Sequence, residues 1–431
     1  MLGRLLADDF FHVDDPAEAE VIIVNTCGFI QEAVQESIDL ILEMAEYKVQ
    51  GKCRALVVVG CMTERYRADM QGELPEVDAV LGVADRDAIT EVVRGLLSPG
   101  TGLLMHNRPE GIIPVDDLHY RLLARKNTDR PHIAYVKIAE GCDNHCAYCT
   151  IPAIRGGYKS RPMEEILEEC EALINDGVRE LVLVAQDTAL YGKDLYGEVR
   201  LGLLLRGIDA ACTQGQWVRL MYAYPEHITT EVIQALAELP SVCKYLDMPV
   251  QHSEDTVLSP MGRQGTRAGL VDLITRLRQA VPDIALRTTL MVGFPGETEA
   301  EFEGLYNFVE TMQFDRLGVF PYSQEAGTKA AEMPNQVPED EKHNRRERLM
   351  ILQQEIHAKK QREKIGRTIT VIIDEVTAEG DGFSHTARTQ ADAPEVDAVV
   401  YVESKKALTP GQVVEVRPVA ADEYDLEAVT I

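Results

Sequence analysis

Three cysteines with the spacing C-x₃-C-x₂-C are the residues of this chain best suited to chemistry. Cys142, Cys146 and Cys149 lie together on one short segment. Three thiolates on a tight loop hold three corners of a cubane iron–sulfur cluster, and the fourth iron then has no protein ligand. Because an iron with an open position binds a substrate or cofactor, the spacing predicts a reactive 4Fe–4S cluster.

Structural zinc is the alternative for the same three thiols. A structural zinc site needs four ligands, usually in two pairs, and no matching second pair follows in the sequence. His145 is directly adjacent to Cys146, and the use of both as ligands would strain the loop. The pattern therefore favours iron–sulfur chemistry and leaves zinc open.

Length and composition indicate a protein of two or three domains with an acidic surface. The chain has 431 residues, of which 45% are hydrophobic, and a formal net charge of −28. Its nine cysteines, an odd number, indicate reduced thiols, and we find no signal peptide or membrane span, so we expect a cytoplasmic protein. An acidic surface repels phosphate backbones and attracts basic proteins, although acidity also serves solubility alone.

Two further cysteines follow buried strands in residues 1–105. Strands at 21–27, 55–61 and 79–83 alternate with helical segments such as 32–47, which predicts a small doubly wound α/β domain. Cys27 and Cys61 end the first two strands, at the edge where open α/β sheets bind ligands. We therefore predict that both are ligands. Cys53 precedes its strand and is interpreted as incidental, and residues 106–130 are predicted to be a linker.

Residues 131–337 repeat a strand–helix unit, which predicts a partial (β/α)₆ barrel. The predicted strands are 133–139, 180–185, 217–223, 244–248, 285–292 and 316–320, with helices such as 163–175 and 298–312 between them. Chemistry in such barrels takes place at the carboxyl ends of the strands. The polar, aromatic and glycine residues at those ends include Gln186, Asp187, Tyr224, Gln251, His252, Gly293, Gly296 and Tyr322.

A charged helix at 338–365 precedes a small antiparallel β-barrel predicted for residues 366–431. Its predicted strands are 368–373, 398–402 and 412–416. The module has five Lys and Arg against thirteen Asp and Glu, a net charge of −8. Because the basic stripe of an RNA binder is absent, the sequence argues against nucleic acid as the direct substrate.

The cysteine segment, placed after the first barrel strand, resembles that of the radical S-adenosylmethionine enzymes. The resemblance implies that the open iron binds the amino and carboxylate groups of S-adenosylmethionine. An electron from the cluster then breaks a carbon–sulfur bond and yields a 5′-deoxyadenosyl radical. The resemblance also implies cofactor-binding roles for Tyr148, Arg161, Gln186, Asp187, Gly293 and Gly296.

The whole architecture resembles the radical S-adenosylmethionine methylthiotransferases, which end in a small barrel of the TRAM type. Members of that family hold a second, auxiliary 4Fe–4S cluster with three cysteines of the first domain, and this cluster receives the sulfur that is inserted. Cys27 and Cys61 match two of those ligands. The third ligand lies, in the family, just before a stretch like residues 1–6 of this chain. We therefore expect that the chain is shortened at its N-terminus and lacks one auxiliary ligand and one strand.

Two branches of that family differ in substrate, which is either a tRNA adenosine or an aspartate of the small-subunit ribosomal protein S-twelve. Residues 221–225 and 322–328, and His252 in place of a serine, resemble the ribosomal-protein branch. The acidic terminal barrel independently favours a basic protein over tRNA. We therefore expect methylthiolation of the aspartate β-carbon, with Gln251 and His252 as candidate substrate contacts.

The electron donor expected for such an enzyme is a flavodoxin or ferredoxin. Two other functions stay open on the sequence alone. One is a tRNA adenosine methylthiotransferase, and the other is a non-catalytic iron–sulfur protein that binds a partner through its acidic barrel.

Overall fold

The computed structural model describes residues 1–98, 104–105, 130–377 and 383–431. They form two compact units. The first comprises Met1–Lys126, Gly141–Tyr158 and Ser323–Ala331, and the second comprises Asn127–Glu140, Lys159–Tyr322 and Glu332–Ile431. The segment with the three spaced cysteines therefore belongs to the same unit as Cys27 and Cys61. The predicted linker, apart from Arg130, lies outside the described residues.

The first unit contains a parallel sheet in the order β1-β2-β3-β4. The strands are β1 (Val21–Thr26), β2 (Ala55–Gly60), β3 (Ala79–Leu81) and β4 (Leu104–Met105). The α-helices are α1 (Leu2–Ala7), α2 (Gln31–Gln50), α3 (Cys61–Arg65), α4 (Arg67–Glu73), α5 (Ile89–Leu97) and α6 (Ile151–Arg155). Short 3-10 helices span Pro16–Glu18 and Val83–Ala88.

Both faces of this sheet are covered by helices. Successive side chains of a strand point to opposite faces. In β2, Leu56 packs in one core with Ile41 of α2, and Val57 packs in a second core with Val92 of α5. The continuous apolar run of β2 thus serves two layers, as expected for a buried parallel strand. The predicted doubly wound α/β domain is confirmed.

The second unit contains six parallel strands that follow one another in chain order. They form the sheets β5-β8-β9 and β10-β11-β12, and a parallel bridge between Val218 and Val242 links the two. The strands are β5 (Ile133–Lys137), β8 (Glu180–Val184), β9 (Trp217–Leu220), β10 (Tyr245–Asp247), β11 (Ala285–Val292) and β12 (Arg316–Pro321). A short antiparallel pair, β6 (Ala139–Glu140) and β7 (Lys159–Ser160), follows β5.

Helices connect these strands, as the predicted partial (β/α)₆ barrel requires. They are α7 (Met163–Asn175), α8 (Lys193–Tyr196), α9 (Leu201–Ala211), α10 (Thr230–Glu238), α11 (Asp255–Leu258), α12 (Arg267–Ala280) and α13 (Glu299–Met312), and α14 (Glu339–Arg362) follows the last strand. Further 3-10 helices span Pro225–His227 and Ala330–Glu332. The predicted strand at 217–223 is too long: β9 ends at Leu220, because Tyr222 has a φ of +57°, which no β-strand accommodates.

Residues after α14 form a closed antiparallel-rich barrel in the order β13-β14-β15-β17-β16. Its strands are β13 (Ile369–Thr377), β14 (Phe383–Thr389), β15 (Val400–Ser404), β16 (Val413–Ala421) and β17 (Leu426–Thr430). The predicted terminal barrel is confirmed, with β14 and β17 as strands that the sequence analysis did not predict. Ile372 and Ala393 of this module pack with Ile133 and Trp217, at the amino-terminal ends of the (β/α)₆ strands.

A buried ion-pair network joins the terminal barrel to these strands. Glu180 and Arg219 are both fully buried, and Arg219 Nε donates to Glu180 Oε1 at 2.6 Å. Arg388 of the terminal barrel donates from Nη2 to the other oxygen of Glu180 at 2.7 Å, and from Nε to Asp374 at 2.6 Å. Burial alone would raise the pKa of Glu180, but Arg219 and Arg388 hold it below its ordinary value. The carboxylate is therefore charged between two guanidinium groups.

The described residues also bear on membrane association. No helix among them is long and apolar enough to cross a lipid bilayer.

Candidate cluster-binding loop and strand-end site

The cysteine loop, residues Gly141–Tyr158, is closed at its base by backbone hydrogen bonds. Cys142 N–H donates to the Gly156 carbonyl at 3.1 Å. Gly141 has a φ of +78°, and a Cβ at this position would lie 2.2 Å from the carbonyl oxygen of Gly157. Only glycine fits there, because any side chain would collide with the opposite end of the loop.

Two sulfurs of the loop accept backbone hydrogen bonds. Asn144 N–H points to Cys142 Sγ at 3.4 Å, and Ile151 N–H points to Cys149 Sγ at 3.5 Å. Such bonds stabilise a thiolate, the form that binds iron. Burial raises the pKa of Cys149 to about 12, and the neighbouring cysteine sulfurs act in the same direction. A Cys149 thiolate would therefore be stabilised by the positive charge of a bound metal group.

The geometry of the loop also bears on the choice between zinc and a cluster. The described residues contain no group of three or more His, Cys, Asp or Glu side chains arranged around one metal ion. His145 is exposed, and Tyr148 and Cys146 are partly buried. Three thiols without a fourth ligand fit a cluster with an open iron.

Cys27 and Cys61 lie side by side at the carboxyl edge of the first sheet. Thr26 pairs with Gly60 in the β1–β2 register, so the two cysteines directly follow paired residues. A Cβ on Gly28 would lie 2.7 Å from the carbonyl carbon of Cys61, so the two strand-end loops are in close contact. Cys27 is exposed and Cys61 is buried. The edge predicted from the sequence is formed, and the ligand role of the two thiols stays a prediction.

Arg155 connects the cysteine loop to Cys61. This residue ends α6, and its Nη2 donates to Cys61 Sγ at 3.1 Å. Ile154 packs with Cys61 and Val83 in one small buried cluster. A hydrogen bond from a guanidinium group stabilises a thiolate sulfur. The helix that follows the three spaced cysteines thus contacts Cys61 within the first unit.

The segment Ser323–Ala331 holds the loop that carries Cys27. Glu325 is 2% exposed and accepts from Arg65 Nη1 at 2.8 Å. The same nitrogen of Arg65 donates to the Gly28 carbonyl at 3.0 Å. Ala330 N–H in turn donates to the carbonyl of Ala147 in the cysteine loop at 2.8 Å. The segment therefore binds both cysteine-bearing regions of the first unit.

In the second unit, a buried carboxylate organises the ends of β8 and β9. Asp187 is fully buried, and one of its oxygens lies 2.6 Å from Nδ1 of His227. Its other oxygen accepts from Tyr224 N–H at 3.4 Å, and the His227 ring stacks on Tyr224 with centroids 5.0 Å apart. The carboxylate fixes the proton on Nδ1 and leaves Nε2 for a further partner.

Gln186 and Arg161, two other predicted cofactor-binding residues, differ in their hydrogen bonds. Gln186 is partly buried, and its buried Oε1 has no hydrogen-bond partner among the described residues. An orphaned buried oxygen of this kind fits a hydrogen-bond donor on a ligand. Arg161 is 3% exposed, and its Nη1 donates to the Lys137 carbonyl at 2.7 Å and to Glu169 at 2.6 Å. It ties β5 to α7, and its cofactor role stays a prediction.

The predicted glycine-rich segment after β11 is a turn closed by its own carboxylate. Glu297 accepts from the N–H groups of Gly293 and Phe294. A Cβ on Gly293 would lie 2.2 Å from the Lys342 stem, whereas a Cβ on Gly296 would meet no atom within 4 Å. Gly296 therefore offers the open backbone that the approach of a cofactor requires, and Gly293 does not.

The two predicted substrate residues after β10 are placed differently. His252 is fully buried, its Nδ1 accepts from Glu254 N–H at 3.0 Å, and its Nε2 lies 3.9 Å from Glu297. Gln251 is partly buried and has a φ of +67°. Its backbone pairs with β11 through hydrogen bonds with Thr289 and Met291. Gln251 is therefore nearer to solvent than His252, and both roles stay predictions.

Three family models match consecutive parts of the chain. They are Uncharacterized protein family UPF0004 at residues 1–82, the Radical SAM superfamily at residues 136–309 and the TRAM domain at residues 365–431. The ribosomal protein uS12 methylthiotransferase RimO of Desulforamulus reducens is 47% identical over 428 residues, which cover 99% of this chain and 94% of the relative. RimO of Lachnoclostridium phytofermentans is 46% identical over 99% of this chain and 94% of the relative. The chain belongs to the uS12 methylthiotransferase family.

A solved structure supports the fold of this methylthiotransferase. The radical S-adenosylmethionine methyltransferase TsrM of Kitasatospora setae superimposes with a TM-score of 0.50 at 15% identity, over 84% of this chain and 69% of that protein. Radical S-adenosylmethionine enzymes use that cofactor with 4Fe–4S clusters, so these are the cofactors of this methylthiotransferase. This finding rejects a structural zinc site, the alternative that the cysteine spacing had left open.

We expect Gly141→Ala to prevent cluster binding by the cysteine loop without unfolding the methylthiotransferase. The added Cβ meets the Gly157 carbonyl at 2.2 Å, so the loop has to open at its base. The test uses a Cys61→Ala background, so that iron at the predicted auxiliary cluster is not counted. Iron retained after anaerobic reconstitution should fall at least about tenfold, the range seen when the support of a metal site is lost. Circular dichroism should be unchanged.

Gly197→Ala is the matched control for this change. Gly197 has a φ of +79°, nearly that of Gly141, but a Cβ there meets no atom within 4 Å. This variant carries the same backbone strain without the collision and should retain its iron. Equal iron retention in the two variants would contradict the requirement for a closed loop.

Sequence reasoning missed three residues that hold this site: Arg65, Arg155 and His227. Arg155 follows the last cysteine of the loop closely, but nothing local indicates that it reaches Cys61. His227 follows a predicted strand end, so the strand-end argument that selected Asp187 applies to it as well. A histidine three residues after the strand-end Tyr224 was the available signal.

Proposed function

We propose that this enzyme methylthiolates the β-carbon of an aspartate in the small-subunit ribosomal protein uS12. The observation that carries this proposal is the near full-length similarity to curated uS12 methylthiotransferases. The aspartate and its β-carbon come from the resemblance of residues 221–225 and 322–328 to that branch of the family.

The cysteine loop has the first role in this proposal. Cys142, Cys146 and Cys149 hold the cluster that binds S-adenosylmethionine, and Gly141 keeps the loop closed around it. When bound, these cofactors supply a radical that takes hydrogen from an unactivated carbon, which no side-chain base can deprotonate. The N–H groups of Asn144 and Ile151 orient the sulfurs.

Cys27 and Cys61 have the second role, as ligands of the auxiliary cluster that carries the sulfur. Arg155 donates to the Cys61 sulfur at 3.1 Å and holds it in place. Arg65 and Glu325 fix the loop that follows Cys27 through the Gly28 carbonyl. These contacts support a single site in which the two sets of cysteines are positioned together.

Charge supports a basic protein as substrate. In the terminal barrel, the acids Asp374, Asp392 and Asp397 are paired with arginines, and Arg388, one of the few basic residues of the module, is itself buried. In the part of the module that the structure describes, the exposed acids are Glu375, which pairs with Arg130, and Glu395, Glu403, Glu415, Asp422, Glu423 and Glu427. Such a surface attracts a basic ribosomal protein and repels the phosphates of tRNA.

The proposal includes a cellular setting. All nine cysteines lie in the described part of the chain and are free thiols, as a reducing cytoplasm requires. The electron that starts the reaction comes from a small redox protein, a flavodoxin or ferredoxin. The setting is supported by the free thiols, and the electron donor by the reduction that the cofactors need.

Mass spectrometry of two parallel reactions tests the proposal. The anaerobically reconstituted protein is given reductant, S-adenosylmethionine, a sulfide source and either purified uS12 or unmodified tRNA. A methylthio group on an aspartate of uS12 is the expected result. A methylthio group on tRNA would replace this substrate with the other one, and a lack of both products would reject the proposed function.

A further inference from the structure

Tyr222 has a strained backbone at the end of β9. Its φ is +57°, in the left-handed region that an aromatic residue rarely adopts. Its side chain is 46% exposed, and the hydroxyl has no hydrogen-bond partner in the part of the chain that the structure describes. Packing of the ring therefore does not account for the strain, which has to be maintained by the surroundings of the backbone.

Two neighbouring strand ends hold the backbone of Tyr222 in this conformation. Asp247, the fully buried last residue of β10, accepts from Tyr222 N–H at 3.1 Å. Thr188, which follows β8, donates its N–H to the Tyr222 carbonyl at 3.0 Å. Asp247 is itself fixed by Arg287 at 3.2 Å. Both polar groups of the Tyr222 backbone are thus bound by rigid elements.

The rest of the loop after β9 is clamped in the same way. Ala223 N–H donates to the Asp247 carbonyl at 2.9 Å, and Asp187 binds both Tyr224 N–H and the His227 ring. These hydrogen bonds fix the loop after β9, so the exposed side chain of Tyr222 is held in one orientation. Strained residues that are held so firmly tend to lie at binding and active sites.

We propose that Tyr222 is a contact residue for the uS12 polypeptide around the target aspartate. This assignment rests on the proposed function. A tyrosine ring offers a rigid apolar face at low entropic cost, a surface for cationic side chains and one hydroxyl for a peptide group. These are the groups that a basic polypeptide presents. The strain at Tyr222 is retained because the contact requires the ring in this position.

Tyr222→Gly separates this role from a structural one. Glycine adopts positive φ freely, so the variant relieves the strain, and its thermal midpoint should not fall. A contact role predicts that KM for uS12 rises about tenfold, as for the loss of an aromatic anchor. KM for S-adenosylmethionine should change less than about twofold. Tyr222→Phe, which keeps the ring, should show a smaller rise in KM for uS12.

Gln313→Gly is the matched control. Gln313 has a φ of +49° and caps the C-terminus of α13, so the same relief of strain is made away from the strand ends. It should leave both KM values unchanged. Affinity of the reconstituted protein for uS12, measured by fluorescence anisotropy, should fall for Tyr222→Gly and not for Gln313→Gly.

The outcomes distinguish this assignment from the proposed function. If the unaltered protein does not modify uS12, the proposed function fails and the assignment fails with it. If the unaltered protein modifies uS12 but Tyr222→Gly has the same KM for uS12, only the assignment is overturned. A rise confined to KM for S-adenosylmethionine would make Tyr222 a cofactor contact and would also overturn it.

Discussion

Replacement of Cys146 by alanine is expected to abolish cleavage of S-adenosylmethionine. The cysteine loop offers three thiols and no fourth ligand, so the loss of one leaves two, which do not hold a cubane. Formation of 5′-deoxyadenosine under reducing conditions should fall by more than about a hundredfold, because even the outer contacts of a metal site reach that range. The measurement is chromatography of 5′-deoxyadenosine after anaerobic reconstitution.

Cys212→Ala is the control for this prediction. Cys212 is also a partly buried free thiol, but it caps α9 in the second unit and belongs to neither predicted set of ligands. Its replacement should leave cleavage of the cofactor unchanged. Survival of cleavage in Cys146→Ala would show that the cluster is bound elsewhere.

Glu180→Gln is expected to have the largest effect on stability. The change keeps the shape of the side chain but removes the charge that faces Arg219 and Arg388, so two buried guanidinium groups lose their shared carboxylate. Loss of one partner of a buried ion pair costs about 3–5 kcal/mol. Because the network joins the terminal barrel to β8 and β9, urea unfolding of the second unit should shift to a clearly lower midpoint.

Glu198→Gln provides the comparison. Glu198 is 69% exposed in its pair with Arg200, and such surface pairs contribute up to about 1 kcal/mol. The two variants make the same chemical change, so any difference between them measures burial. Equal unfolding midpoints would contradict a stabilising role for the network.

The sequence predicts a strand well where the residues of that strand alone show that it is buried. Strand β11 spans Ala285–Val292, as predicted, because a long run of apolar and β-branched residues has one interpretation. Strand β14 was missed, because one of its buried residues is His385, which binds the N–H of Leu408 inside the terminal barrel. A polar residue in the core carries no hydrophobic signal. Strand β17 was missed because it is short and has only Leu426 and Ala428 buried.

In the candidate site, too, the local pattern could be predicted from the sequence and the long-range contacts could not. The cysteine spacing is a property of one short segment, so it indicates its chemistry before any fold is known. The contact of Arg155 with Cys61 joins residues far apart in the chain, and the pair of Asp187 with His227 depends on two neighbouring strand ends. The strain at Tyr222 depends on Thr188, which follows β8, and on Asp247, which ends β10. Only the folded chain brings these groups together.

The most direct test of the central claim uses uS12 that carries deuterium on the β-carbon of its aspartates. The protein is reconstituted anaerobically and given this substrate with reductant, S-adenosylmethionine and a sulfide source. The account predicts deuterium in the 5′-deoxyadenosine formed and a methylthio group on one aspartate. Methylthiolated uS12 accompanied by 5′-deoxyadenosine without deuterium would contradict hydrogen removal from that carbon, and with it the proposed chemistry.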